Sequence, residues 1–200
     1  TVNQWIGPDG DVICSDQRRL TFLMLPEGRA IDWDITLRAT AGDLTIADTE
    51  EGTMGIRTHP NLRLENGAGV TTANGQALNS QGVRGKAVWG QRAAWIDYWG
   101  NVGDKTVGIA LFDHASNPRH PTWWHARPYG LFTANPFGIA DFEGKPRGTG
   151  EMTIPTGKSI SLHYRILFHA HDPERAGIKA AYERYGKLAK SPVGPLPAQK

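Results

Sequence analysis

Apolar and polar residues alternate along most of this chain. Between Ile31 and Thr40, Ile31, Trp33, Ile35 and Leu37 fall on one side of an extended backbone, and Asp32, Asp34, Thr36 and Arg38 fall on the other. A period of two carried by β-branched and aromatic residues predicts a half-buried antiparallel strand. Arg18 to Leu25 has the same character, and the turn Pro26-Glu27-Gly28-Arg29 between the two segments predicts a hairpin. Pro8-Asp9-Gly10 marks a similar turn near the start. Further strands are expected at Leu44–Asp48, Met54–Arg57, Ala93–Trp99, Lys105–Asp113, Gly130–Ala134, Gly150–Ile154 and Ser159–His169. About ten short strands punctuated by Gly and Pro predict an all-β fold, an antiparallel β-sandwich of the kind that sugar mutarotases build on a larger scale.

Two stretches break the alternation. Glu65 to Gly85 is rich in Gly, Asn, Thr, Ser and Gln, has little to bury, and is expected to be a long surface loop. After His171 the period changes: Asp172 can cap a helix with Pro173 in its first turn, and Ile178, Ala181, Tyr182, Tyr185 and Leu188 share one helical face. One amphipathic C-terminal helix of about 15 to 18 residues is expected to lie across the sheet, with Gly186 weakening its last turn. Residues 1–190 are expected to form one sandwich domain, with part of the site supplied from upstream if a preceding segment exists. Residues 191–200, with three prolines, are expected to be a flexible tail.

Composition narrows the functional classes. The chain has 200 residues, 39% hydrophobic and 21% charged, which is enough for one substantial core. No apolar run approaches the roughly 20 residues of a membrane-spanning helix. Net charge is +2 and the basic residues are scattered, so no stripe argues for nucleic acid. The single cysteine, Cys14, excludes an internal disulfide and leaves the compartment undecided. With no basic residue near it in sequence, Cys14 is not expected to be a nucleophile.

The candidate chemistry is concentrated in Phe112–Gly138. His114, His120 and His125, Arg119 and Arg127 alternate there with Trp123, Trp124, Tyr129 and Phe132. Titratable and cationic groups interleaved with rings suit a surface that binds or transforms a ligand. The three histidines are expected to converge on one cavity as proton carriers. Arg57, Arg119 and Arg127 are candidate anchors for hydroxyl or carboxylate groups. Glu51 is a candidate base or orienting group, placed six residues before Arg57 and so on the same face of a strand. Trp123, Trp124 and Tyr129 are candidate stacking surfaces for a sugar ring, and Asn117 a further candidate contact. The histidine spacing also offers a divalent-ion site completed by Asp113 or Glu51, but it matches no compact metal motif, and no metal or cofactor is assigned. Competing readings are packing for the rings and a structural ion pair for Glu51 and Arg57. His163, His169 and His171 lie on or just after one strand, and His59 in a polar turn.

The string Asp113-His114-Ala115-Ser116-Asn117-Pro118-Arg119-His120-Pro121, then Trp124-His125-Ala126-Arg127, Tyr129-Gly130-Leu131-Phe132 and Ala134-Asn135-Pro136-Phe137-Gly138, resembles the bacterial PmoA-like family. Glu51-Gly52, Gly55-Ile56-Arg57, Trp89-Gly90 and Trp95-Ile96-Asp97-Tyr98 resemble further blocks of that family. The likeness runs from about Trp5 to Glu183 and corresponds to the family's C-terminal two thirds. Although the family label refers to methane oxygenase, the sequence has no spanning segment of the kind a membrane methane monooxygenase needs. The resemblance implies a soluble β-rich protein from bacteria with large polysaccharide-degrading repertoires. Together these observations point to a carbohydrate-processing protein that uses acid–base chemistry, of lyase, epimerase or hydrolase type, on a sugar or sugar acid. The alternative is a non-catalytic carbohydrate-binding or assembly module. The expected partner is a small-molecule or oligosaccharide ligand, with neither nucleic acid nor membrane, and with a homo-oligomer or an upstream segment completing the site.

Overall fold

The computed structural model describes residues 1–194. Its strands are β1 (Val2–Ile6), β2 (Val12–Leu25), β3 (Gly28–Arg38), β4 (Leu44–Ile46), β5 (Met54–Arg57), β6 (Gln76–Asn79), β7 (Trp95–Val102), β8 (Lys105–Asp113), β9 (Trp123–Ala126), β10 (Leu131–Asn135), β11 (Met152–Ile154) and β12 (Ser159–Ala170). The described residues include two α-helices, α1 (Ile139–Glu143) and α2 (Ile178–Gly186). The strands form a seven-stranded sheet in the order β1-β2-β3-β12-β8-β7-β6, a three-stranded sheet β5-β10-β9 and a two-stranded sheet β11-β4. Every strand pair is antiparallel, and the architecture is an all-β sandwich with a C-terminal helix.

The alternation along β3 sets the layers. Ile31, Trp33 and Ile35 face the small sheet and pack with Ile96, Tyr98, Leu111, Leu162, Tyr164, Trp124, Phe132 and Met54. Tyr98 and Phe132 stack with centroids 4.6 Å apart, joining the two sheets at the centre of the core. Each such side chain removed from water contributes about 1.5–3 kcal/mol. The opposite face carries Ala30, Trp95, Ala110, Phe112 and Leu167, covered by Ile178, Ala181 and Tyr185 of α2. A third cluster, Cys14, Leu37, Ala39 and Ile154, lies where the large sheet meets β4 and β11.

The β2–β3 hairpin occurs where the sequence places it. Gly28 is required there: its φ is +152°, and a Cβ would lie 2.0 Å from the Phe168 carbonyl oxygen. Three expectations need correction. The polar stretch Glu65–Gly85 contains β6, which pairs with β7 and closes one edge of the large sheet. Asp172 does not cap the helix; its carboxylate accepts from the amides of Glu174 and Arg175 in a preceding turn. The helix therefore starts at Ile178, after Gly177, and is 9 residues long, ending at Gly186. Nor is the start of the expected tail free, since Val193 is buried and its amide donates to Thr36 Oγ1. Residues 195–200 of that tail lie outside the described residues.

Candidate functional site

The loop joining β8 to β9 is held by one buried carboxylate. Asp113 accepts from Asn117 Nδ2 at 2.7 Å, from the Thr122 amide at 3.0 Å, and bonds His120 Nδ1 at 2.7 Å. Asn117 also reaches the backbone of His163 in both directions. His120 Nε2 lies 3.4 Å from the Tyr182 hydroxyl of α2. His114 spends one ring nitrogen on Ser116 Oγ and the other on the Leu188 carbonyl, and burial lowers its pKa. Arg119 donates to the carbonyls of Pro136, Gly150 and Glu151. These side chains tie the loop to its neighbours rather than lining a cavity.

The expected convergence of His114, His120 and His125 is therefore not what the fold produces. The first two rings lie toward α2, while His125 sits on β9 with its neighbours Trp124 and Ala126 in the core, so its own side chain faces outward from the small sheet. Trp124 is fully buried, with Nε1 donating to the Ala93 carbonyl, and cannot serve as a stacking surface. Trp123 is covered by Arg92 and bonds Glu143. Tyr129 is exposed, with the Arg57 guanidinium 5.5 Å from its ring centre. Arg57 is thus engaged with Tyr129 rather than with Glu51, which precedes β5 instead of sharing a strand face with it.

A different group comes together on the outer face of the small sheet. Glu50, Glu51 and His125 each place a ligand-type atom within 4.8 Å of the others. Strand register brings them together: His125 pairs with Thr133 of β10, and Thr133 with Gly55 of β5. Arg127 completes the group, donating from one nitrogen to Glu50 Oε1 at 2.8 Å and from Nε to His125 Nε2 at 3.0 Å. An arginine nitrogen can only donate, so His125 Nε2 is the acceptor and the proton of the neutral ring sits on Nδ1. Burial, followed by the Arg127 charge, lowers the His125 pKa against the upward pull of Glu50 and Glu51, which favours that neutral form. Nδ1 is buried without a hydrogen-bond partner, its nearest carboxylate oxygen being Glu50 Oε2 at 3.6 Å. Glu51 is exposed, and no cation among the described residues pairs with its carboxylate.

These three groups are also the residues that could hold a divalent ion. A ligating histidine usually donates its other ring N–H to an acceptor. Here that second nitrogen faces the Arg127 donor, so Nδ1 is arranged as a proton donor, and the set fits an oxygen-bearing ligand better than a metal.

Glu51 also lines a cleft of about 480 Å³ between the large sheet and the β4–β5 segments. Its floor consists of three cross-strand pairs, Trp33 with Tyr164, Ile35 with Leu162 and Leu37 with Ile160. Leu44, Ile46, Met54 and Phe137 form walls, and Trp5, 46% exposed, stands at the mouth.

Sequence reasoning missed Glu50, the cleft and several buried ion pairs on the α2 side. His163 Nδ1 bonds Asp34, which also takes Arg19 and Lys190. Arg165 bonds Asp32 through two nitrogens, and His169 bonds Asp97. Asp32 and Asp34 are neighbouring positions on the α2-side face of β3 and Asp97 lies on that face of β7, so in the sequence they read only as the polar half of the alternation. No helix among the described residues is long and apolar enough to cross a membrane. No curated protein and no solved structure matches the chain. One family model does match, over residues 1–183, and the chain belongs to that family, a family of unknown function designated DUF6807.

Proposed function

We propose that the protein processes a sugar or sugar acid by proton transfer at the Glu50–Glu51–His125–Arg127 group. The observation that carries this reading is the buried His125 Nδ1 donor, left without an acceptor near the Glu51 carboxylate, which pairs with no cation among the described residues. A neutral imidazole can donate a hydrogen bond to a substrate oxygen where negative charge develops, while a nearby carboxylate removes a proton. In this scheme Glu51 is the base and His125 holds the oxygen. Arg127, bridging Glu50 and His125, fixes the ring and its tautomer. Trp5 at the mouth of the cleft offers a ring face against which sugar C–H groups can pack. Deprotonation with stabilisation of an oxyanion is the first half of an epimerisation or an elimination, which makes lyase or epimerase chemistry a closer fit than hydrolysis.

A non-catalytic carbohydrate-binding module is the rival reading; with Trp123 and Trp124 buried it would rest on Trp5 and Tyr129, and it gives no role to the unpartnered His125 donor. The test is a panel of monosaccharides, glycosides and uronic acids, scored by thermal shift and by deuterium uptake from D2O into each ligand. Parent protein, Glu51→Gln, Arg127→Ala and His120→Ala are compared. Exchange or stabilisation that disappears in the first two variants and survives in His120→Ala is the expected result. Exchange indifferent to Glu51→Gln would overturn the assignment of the base.

A further inference from the structure

The cleft beside Glu51 is too apolar to be explained by a sugar alone. Six of its lining residues, Ile35, Leu37, Leu44, Ile46, Ile160 and Leu162, are aliphatic, and sugar rings present hydroxyls that such walls cannot satisfy. At the same time the cleft is not sealed. Trp33, Ile35 and Ile160 are only half-buried, although they belong to the central strands of the sheet and lie on the same face as the core. Tyr164 is 1% exposed, and its hydroxyl lies beside that of Thr53, which donates to the Ala134 carbonyl and keeps lone pairs that can accept the Tyr164 proton.

Building on the proposed sugar chemistry at Glu51, we infer that the cleft receives the apolar aglycone of an alkyl or aryl glycoside, with the sugar held at the rim. Glu51 belongs both to the cleft lining and to the rim group, so the two places adjoin at this residue. The capacity is right for such a group. A cavity of about 150 Å³ holds one benzene, and the cleft, at about 480 Å³, holds roughly three ring-sized units or an alkyl chain of comparable bulk. Arg18, which shares the Asp16 carboxylate with Trp5, is already paired with it through two nitrogens, so among the described residues the cleft offers no unpaired cation to select an anionic tail.

The experiment is a binding series of methyl, butyl, hexyl and octyl glucosides below their micellar concentrations, with octanol as the sugar-free control. Affinity is measured by calorimetry, and the Ile35, Ile46 and Ile160 methyl resonances are followed in the unmodified protein. Each methylene that enters the cleft is expected to raise affinity about threefold to fourfold until the cleft is filled. The three methyl resonances should shift progressively with chain length. Affinity indifferent to chain length, or methyl resonances that stay in place, would overturn the inference. Ile46→Trp and Leu44→Trp, each filling the cleft from its outer wall, should abolish the chain-length dependence, and its persistence in folded variants would overturn the inference as well. The two readings fail separately: octanol binding as tightly as octyl glucoside would remove the sugar from the rim and leave the cleft assignment intact.

Discussion

Asp113→Asn is predicted to damage the protein's stability while leaving ligand binding in place. The carboxylate is 1% exposed, and its two oxygens serve three partners: Asn117 Nδ2 on one side, and His120 Nδ1 with the Thr122 amide on the other. An asparagine keeps the shape but has one oxygen and one NH2 group. Facing its oxygen toward His120 and Thr122 sets two NH2 groups against each other at Asn117, and the reverse orientation sets NH2 against the Thr122 amide. Either way a buried donor loses its acceptor. Hydrogen bonds to a charged group are worth about 1.5–3 kcal/mol, and a buried unsatisfied donor costs about 1–3 kcal/mol. Because these figures count overlapping effects, the expected loss is about 2–4 kcal/mol. For a chain of this size that corresponds to a fall in Tm of roughly 5–15 °C. Urea titration followed by circular dichroism gives the free energy, and a double-mutant cycle with Asn117→Ala gives the coupling, expected near 1 kcal/mol or above. Glycoside binding should persist in the folded variant. A loss below about 1 kcal/mol, or strict additivity with Asn117→Ala, would refute the claim that this carboxylate organises the loop.

Two further outcomes follow from burial. His114 and His125 both have lowered pKa values, burial being the largest cause for each, so the unfolded chain takes up protons that the folded protein refuses. Their contribution is complete above the ordinary imidazole value of 6.5 and is lost as pH falls through the lowered folded values, so urea midpoints measured from pH 8 downward should decline below about 6.5. Replacing His125 by Asn should flatten part of that decline; an unchanged profile would argue against a neutral, buried ring. Trp124→Phe removes the bond to the Ala93 carbonyl and part of a fully buried ring. It should cost about 1–3 kcal/mol without affecting glycoside affinity, whereas a selective loss of binding would restore Trp124 as a ligand contact.

How far the sequence could be followed depended on how local each determinant was. The long strands were legible because their two-residue period runs over many positions, as in Ile31 to Leu37. β6 was not, because Gln76-Ala77-Leu78-Asn79 is too short and too polar to show a period, and pairing with β7 is what makes it a strand. The C-terminal helix was legible in its apolar face but not in its start, because Asp172 and Pro173 suit a turn as well as a cap. Within the site, Glu51, His125 and Arg127 were all named from sequence as separate candidates. What joins them is the pairing of β9 with β10 and of β10 with β5, which links residues some seventy positions apart. One local signal was available: as a strand, Trp123–Ala126 must send Trp124 and His125 to opposite faces, so the two could not line the same cavity.

The density of histidines in the central loop drew attention to the right part of the chain through the wrong property. Imidazoles are abundant here because the fold uses them to fix buried strands and loops: His120 against Asp113, His163 against Asp34 and His169 against Asp97. A ring whose nitrogens are already engaged has little capacity left for a substrate. Among the described residues, His125 alone of the histidines has a buried ring nitrogen without a partner. Arg127 enforces that state by occupying Nε2 and so directing the proton to Nδ1. Chemistry is therefore expected where hydrogen-bonding capacity is left unfilled, at the rim formed by Glu50, Glu51 and His125. The histidine-dense loop behind it supplies the rigidity that keeps β9, and with it the His125 ring, in position.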